Sequence, residues 1–312
     1  MKIVFLGNHT VGVRTLGAIQ REFGVAGVVA HPPDPEDGVR YESVFAAAGR
    51  LGVPAIRAAG RSPELARFIA DCAPDLVWIA DYRYLLPAAL LKLPRCGTVN
   101  LHPSLLPRYR GRAPINWAIL QGESRLGLTA HFVDEGMDTG DIIAQREYVL
   151  APGQDVGDAL AMLYPLYEAI TGEVLAAFRS GRVPRRPQDH GLASAFPRRT
   201  PADGLIDWSK PARDVWNLIR AVAAPYPGAF APWEGGVLRV WRAGGIRVAA
   251  PRTARAVPGE ILDASPDGRS VVVACGDGAL VVTDCQYENS GGRTLRAGDV
   301  LGAVPELSLP NP

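Results

Sequence analysis

The stretch TVNLHPSLLPRYRGRAPINW (98–117) closes an apolar, strand-like run with Asn100 and His102. Side chains two residues apart on a strand point to the same face. A carboxamide and an imidazole therefore converge on one reacting atom. A neutral N–H donor beside an imidazole suits an oxygen that turns negative in a transition state. Such chemistry also needs a carboxylate to orient the imidazole and favour its protonated form. The hairpin VDEGMDTGD (133–141) could deliver one, although taken alone it reads equally well as an acidic, solvated turn. It is not a calcium loop, because its glycine is misplaced and no glutamate closes it. RYRGRAP (108–114) reads either as a solvated basic patch or as an anion site, since guanidinium forks match carboxylates and phosphates. It is too short to form a groove for a long polyanion. GNHTVG (7–12) lacks the GxGxxG spacing, and no acidic residue ends the second strand, so NAD is not expected. The segment is a tight βα turn, or it turns His9 and Thr10 toward a substrate cleft.

Positioning these groups falls to an alternating chain. KIVFLG (2–7), VAGVVA (25–30), a short run at 54–58, DLVWIA (75–80) and GTVNLH (97–102) read as strands. Helical patterns at 13–23, 43–52 and 62–72 separate them. This order predicts an α/β fold with a Rossmann-like, doubly wound, mostly parallel sheet. His102 would then sit at the strand end where such sheets hold ligands. LGLTAHFVD (126–134) and DIIAQREYVL (141–150) add two strands, and a helix at 155–178 is expected to kink at Pro165. The stretch from 182 is rich in Pro and Arg and lacks periodicity, which reads as a linker. The expected organisation is a catalytic domain at 1–188, a linker at 189–206 and a C-terminal domain at 207–312. That last part holds a helix at 212–224 and then short β runs, the pattern of a small OB-like barrel. Asp277-Gly278 marks a hairpin turn within it.

The 312-residue chain is 47% hydrophobic and 21% charged, as a globular protein should be, and its net charge of +1 provides no global basic field for nucleic acid. Cys72, Cys96, Cys275 and Cys285 are scattered without a CxxC, so buried free thiols are expected and a zinc site is not. MKIVFLGNHT is too short for a signal peptide, and no apolar run reaches membrane-spanning length. A reducing, cytoplasmic setting is the expectation.

NLHPSLLPRYRGRAPINWAILQGE (100–123) and GLTAHFVDEGMDTGDIIAQ (127–145) together resemble the formyltransferases that use 10-formyltetrahydrofolate. That family carries an Asn-x-His on one strand, an SLLP loop, and an Asp after a second strand. The resemblance extends over nearly the whole chain. YRGRAPINW, FPRRTPADGLIDWSKPA, AVAAPYPGAFA and ACGDGAL look closer to the enzyme acting on UDP-4-amino-4-deoxy-L-arabinose than to methionyl-tRNA formyltransferase. It implies that His102 is the acid/base group, that Asn100 stabilises an oxyanion, and that Asp138 holds His102 and raises its pKa, with no metal. It further implies a folate pocket bordered by Ser104, Leu105, Leu106 and Pro107. The pterin would lie against main chain at Tyr82, Arg83, Tyr84 and Leu85 and at Asp134, Glu135, Gly136 and Met137, and Arg112 would bind folate.

The implied acceptor is a primary amine of a small molecule, most simply an amino sugar nucleotide. Methionyl-tRNA, amino acids, hydroxylamines and aryl amines remain alternatives, as do a folate-binding protein without turnover and a hydrolase that deformylates the folate. The loop DPEDGVRYE (34–42) is short and acidic, which argues against tRNA, because phosphate contacts need Lys and Arg.

Overall fold

A computed structural model of the protein describes residues 1–32, 41–248, 256–288 and 294–302. Most of the acidic loop, 34–40, lies outside the described residues. The chain divides into two compact units. The first comprises Met1–Pro114, Arg125–Val149 and Leu160–Pro197, and the second Ile115–Ser124, Leu150–Ala159 and Arg198–Pro312.

In the first unit the strands are β1 (Ile3–Gly7), β2 (Gly27–Ala30), β3 (Ala55–Arg57), β4 (Leu76–Ala80) and β5 (Thr98–His102). Helices α1 (His9–Glu22), α2 (Val44–Arg50), α3 (Pro63–Cys72) and α4 (Ala88–Leu91) connect them. After the two-residue β6 (Arg110–Gly111) and helix α5 (Pro114–Leu120) come β7 (Arg125–Phe132) and β8 (Ile142–Val149). The sheet runs β3-β2-β1-β4-β5-β7-β8. Its first five strands are parallel, and β7 and β8 are antiparallel to their neighbours. This is the mostly parallel, Rossmann-like sheet expected from the sequence. Strands β1 and β4 are buried at every position, as their unbroken apolar runs require when both faces are covered. The helix starts follow local chemistry. Ser43 Oγ accepts from the Ala46 amide, and Ser62 Oγ accepts from the Leu65 amide with Pro63 at the first helical position. Helix α1 starts earlier than its apolar periodicity suggests, because the GNHTVG turn is itself the first helical turn, with the Gly12 amide on the Asn8 carbonyl.

Helix α6 (Val156–Ser180) continues through Pro165. The aperiodic stretch after it is ordered. It carries a 3₁₀ turn at His190–Leu192, strand β9 (Ala195–Phe196) and a second 3₁₀ turn at Pro201–Gly204. Strand β9 pairs in parallel with β6. A two-residue ladder leaves no alternation to read, which is why this stretch looks featureless in the sequence. Up to Pro197 it belongs to the first unit, and from Arg198 to the second.

The second unit holds α7 (Ala212–Val222) and strands β10 (Ala229–Trp233), β11 (Gly236–Val248), β12 (Ile261–Ala264), β13 (Val271–Cys275) and β14 (Gly278–Glu288). They form an antiparallel sheet in the order β10-β11-β14-β13-β12, a small barrel-like domain. The β13–β14 hairpin turns one residue earlier than expected. Cys275 pairs with Gly278, so Gly276 and Asp277 occupy the turn. A side chain at position 276 would lie 2.1 Å from the Ser209 carbonyl oxygen, and Asp277 is needed to receive the Ala212 amide at the start of α7. Cys275 and Cys285 are buried free thiols, and burial pushes each up to about 12. Cys72 and Cys96 are only half-buried, short of the burial expected for all four. Among the described residues no helix is long and apolar enough to cross a membrane, and no group of side chains could hold a metal ion.

Candidate active site

Strands β5 and β7 pair so that Asn100 lies opposite His131 and His102 opposite Thr129. Directly opposed residues of an antiparallel pair share a face of the sheet. Four polar side chains therefore project together from largely apolar strands. Thr129 is fully buried and uses its whole hydrogen-bonding capacity. Its hydroxyl donates to the Ser104 carbonyl (2.6 Å) and accepts from the Leu106 amide (3.3 Å) and Gln145 Nε2 (2.9 Å). Gln145 Nε2 also donates to the Leu106 carbonyl at 3.0 Å. These bonds fasten the SLLP loop beside His102.

Asp138 reaches the same point from the β7–β8 hairpin. Its Oδ2 lies 3.6 Å from His102 Nδ1 and its Oδ1 3.6 Å from His131 Nε2 and 3.5 Å from Asn100 Nδ2. The Gly111 amide donates to Oδ2 at 2.9 Å. Asp138 itself has φ of +54°, a conformation in which Asp and Asn are the best tolerated of the residues that carry a side chain. The hairpin closes tightly at Gly140, where a Cβ would lie 1.9 Å from the Phe132 carbonyl oxygen. The structure thus brings Asn100, His102 and Asp138 together.

It also adds His131, which sequence reasoning passed over. Thr129 and His131 form a polar pair two residues apart on a strand whose remaining residues are mostly apolar, the same signal that singled out Asn100 and His102.

Hydrogen-bond partners fix the proton positions. His102 Nε2 lies 2.8 Å from the Tyr109 carbonyl oxygen, and His131 Nδ1 2.7 Å from that of Phe132. Carbonyls only accept, so each of these nitrogens carries a proton. His102 therefore turns Nδ1 to Asp138, and His131 turns Nε2 to Asp138 and to the Asn100 amide at 3.1 Å. Both Asn100 N–H groups point at these neighbours in this geometry.

Burial pushes the Asp138 carboxyl up. His102, His131 and the Gly111 amide together outweigh it and hold the group below its ordinary value. For His102 the balance is reversed. Burial pulls it below its ordinary value, against Asp138 and the Tyr109 carbonyl, which act upward, while His131 acts downward. The expectation that Asp138 raises the His102 pKa therefore describes one contribution and not the net direction. At 5% exposure, desolvation of the imidazolium is the larger effect.

The family model for formyl transferase matches residues 1–163, and that for the formyl transferase C-terminal domain matches residues 198–301. The chain belongs to the formyltransferase family. Among solved structures, it is similar to an N-formyltransferase from Helicobacter canadensis, crystallised with folinic acid and dTDP-3-aminofucose. The identity is 16% and the TM-score 0.67, over 92% of this chain and 100% of that one. HypX from Aquifex aeolicus matches at 21% identity and a TM-score of 0.60, over 91% of this chain and 45% of its own. A methionyl-tRNA formyltransferase from Clostridium thermocellum matches at 18% identity and a TM-score of 0.52, over 78% of this chain and 93% of that one. At these identities the similarity concerns the fold.

Around this cluster, the residues expected to border folate divide. Tyr82 is buried in the core with Leu6, Ile79 and Leu90, and its hydroxyl donates to the Ala58 carbonyl, so its side chain is structural. The Arg83 amide donates to His31 Nε2 at 2.9 Å, and the Arg83 carbonyl accepts from Arg112 Nη1 at 2.8 Å. Tyr84 is half-buried, whereas Leu85, Asp134, Glu135, Gly136 and Met137 are exposed. In the SLLP loop Ser104 and Leu106 are buried, and Leu105 and Pro107 half-buried. Of the RYRGRAP arginines, Arg110 is buried, which removes it from any solvated patch. His9 and Thr10 are both half-buried on the first turn of α1. The imidazole of His9 pairs with Asp81, which follows β4, at 2.6 Å and lies 3.8 Å from the Tyr41 ring.

Arg112→Ala is expected to raise the KM for the formyl donor roughly ten- to a hundred-fold, the equivalent of one hydrogen bond from a charged group, and to leave the acceptor KM nearly unchanged. Steady-state kinetics with each substrate varied in turn decides this. A rise confined to the acceptor would move Arg112 to the other half of the site.

Proposed function

We propose that the protein is an N-formyltransferase moving a formyl group from 10-formyltetrahydrofolate to a primary amine of a small molecule, with an amino sugar nucleotide as the acceptor. The observation that carries the reading is the cluster of buried His102 and His131 with half-buried Asn100 and Asp138 at the C-terminal end of β5. Attack of a neutral amine nitrogen on a formyl carbon forms a C–N bond and a tetrahedral oxyanion. The bond from that carbon to the donor nitrogen then breaks, and the proton lost by the amine passes to the leaving nitrogen. Asn100 supplies an N–H to the oxyanion by releasing one of its two internal contacts. His102 handles the proton at Nε2 by releasing the Tyr109 carbonyl, while Asp138 beside Nδ1 stabilises its charged form. Arg112 and the main chain of 82–86 and 134–137 border the donor, where exposed Leu85 and Met137 offer apolar surface to a flat ring.

Two neighbours support a sugar acceptor: the Helicobacter canadensis enzyme holding dTDP-3-aminofucose, and a sugar 3-N-formyltransferase crystallised with dTDP and 5-N-formyltetrahydrofolate. In the ordered stretch after α6, Arg185 and Arg199 lie against aromatic rings, whereas Arg182, Arg186 and Arg198 are exposed. Arg185 lies 3.6 Å from the centre of the Phe132 ring and 3.7 Å from Asp141, and Arg199 lies against Trp117. With a net charge of +1, the chain has little excess positive charge for the several phosphate contacts that a tRNA would require. The setting is cytoplasmic, where the folate donor and nucleotide sugars are available.

Competition between a UDP- or dTDP-linked amino sugar and charged initiator tRNA, at equal concentration and near-physiological salt, is expected to show formylation of the sugar only. Faster formylation of the tRNA would overturn the acceptor assignment while leaving the formyl-transfer reading in place.

A further inference from the structure

Gln188 lies on the aperiodic stretch after α6 and is 6% exposed. Its Nε2 donates to the carbonyl oxygens of Asp138 (2.9 Å) and Gly140 (2.8 Å). Its Oε1 accepts from Arg110 Nη2 (2.7 Å) and Nε (3.3 Å). Arg110, 8% exposed, also donates from Nη2 to His190 Nδ1 at 3.1 Å, and among the described residues no carboxylate pairs with it. A guanidinium can only donate and two carbonyls can only accept. The neutral group that satisfies both sides at once is a carboxamide, so the amide orientation is dictated by its neighbours.

The arrangement grips Asp138 from two directions. The Gly111 amide holds its carboxylate. The preceding residue, Arg110, holds its backbone through Gln188. The stretch itself is anchored on both sides of that grip. Arg186 and Ile142 exchange backbone hydrogen bonds at 2.8 and 3.0 Å, and β9 pairs with β6. Residues 134–137, just ahead of Asp138, are exposed and make no ladder to the sheet. Inside the hairpin Asp134 Oδ1 accepts from the Gly136 amide and the Thr139 hydroxyl, and Gln188 adds a hold on Asp138 from outside it.

We propose that Gln188, oriented by Arg110, is the positioning residue for Asp138, setting its carboxylate against His102 and His131. It acts through Asp138 and touches neither substrate. The inference rests on the roles proposed above for Asp138 and His102, and its primary test uses no acceptor. The chain has five histidines, His9, His31, His102, His131 and His190, few enough to resolve individually by ring ¹⁵N NMR. The groups facing His102 are Asp138, His131 and the Tyr109 carbonyl.

In Gln188→Ala, Asp138 loses its backbone anchor and drifts from His102, so the His102 titration midpoint is expected to fall while His9 and His31 stay unchanged. Gln188→Glu keeps the acceptor for Arg110 but sets carboxylate oxygens against two carbonyls, and it should shift His102 in the same direction. In kinetics, kcat should fall by about 10- to 100-fold, the scale of a misplacement near 1 Å, with the donor KM unchanged. Arg110→Met should cost less, and adding it to Gln188→Ala should bring no further loss. An unmoved His102 midpoint in folded Gln188→Ala, with only a lowered melting temperature, would make Gln188 purely structural and overturn the proposal. Additive losses in the double variant would overturn the link through Arg110. If the formyl-transfer roles were wrong but the positioning right, the NMR shift would persist while Asp138→Asn retained activity.

Discussion

His102→Ala and Asn100→Ala are each expected to lower kcat for formyl transfer by at least about a hundredfold. A positioned general acid–base group contributes about 10²–10⁴-fold to rate, and an oxyanion donor about 10²–10³-fold in kcat. Neither loss is compensated within the cluster. Thr129, the polar side chain opposite His102, is committed to the SLLP loop. His102 is buried, so its truncation strands the Tyr109 carbonyl and costs about 1–3 kcal/mol of stability on top of the lost chemistry. His102→Gln, whose amide can still offer an N–H to that carbonyl, separates the two effects. It should recover stability and not rate. Circular dichroism and thermal unfolding establish the folded fraction, and kcat is then taken per folded molecule. Near-native kcat in either alanine variant would remove that residue from the mechanism.

The second large effect is expected at Asp138. Asn is nearly isosteric and tolerates the left-handed backbone, so Asp138→Asn should fold and still accept from the Gly111 amide. What it loses is the charge between two imidazoles. We expect kcat to fall to within about tenfold of the level left by His102→Ala, because the proton-handling group loses its partner. The pH dependence has a definite sign. Burial already holds His102 below its ordinary value, with Asp138 and the Tyr109 carbonyl pulling upward and His131 downward. With the carboxylate gone, burial and His131 act against the Tyr109 carbonyl alone, so the midpoint falls further. The acidic limb of the pH–rate profile should move to lower pH. A profile with that limb in place would show that Asp138 does not act on His102.

Several features of this protein were written locally. The alternation of apolar runs and amphipathic helices reports the first-unit sheet, because fully covered strands such as β1 and β4 must be apolar at every position. Asn100 and His102 were readable as a pair because strand periodicity ties residues two apart to one face. The acidic turn after the next strand was legible as a source of the carboxylate, but among its four acidic residues Asp138 was singled out by the family resemblance. The C-terminal hairpin was legible as a turn but misplaced by one residue, since the close approach of Ser209 to Gly276 has no local signature.

Tertiary structure decided what depended on partners distant in the chain. His131 joins Asn100 across 31 residues only through the β5–β7 register, and that register is a property of two strands together. Gln188 reaches Asp138 across 50 residues and Arg110 across 78, from a stretch whose composition resembles a linker. The net direction of the His102 shift belongs to the same class. The residue types predict an upward pull from Asp138, but burial is set by everything packed around the ring, and here desolvation of the charged form is the larger effect. Residue type and spacing thus named the chemistry, while strand register, a returning backbone segment and the depth of burial determined how it is held.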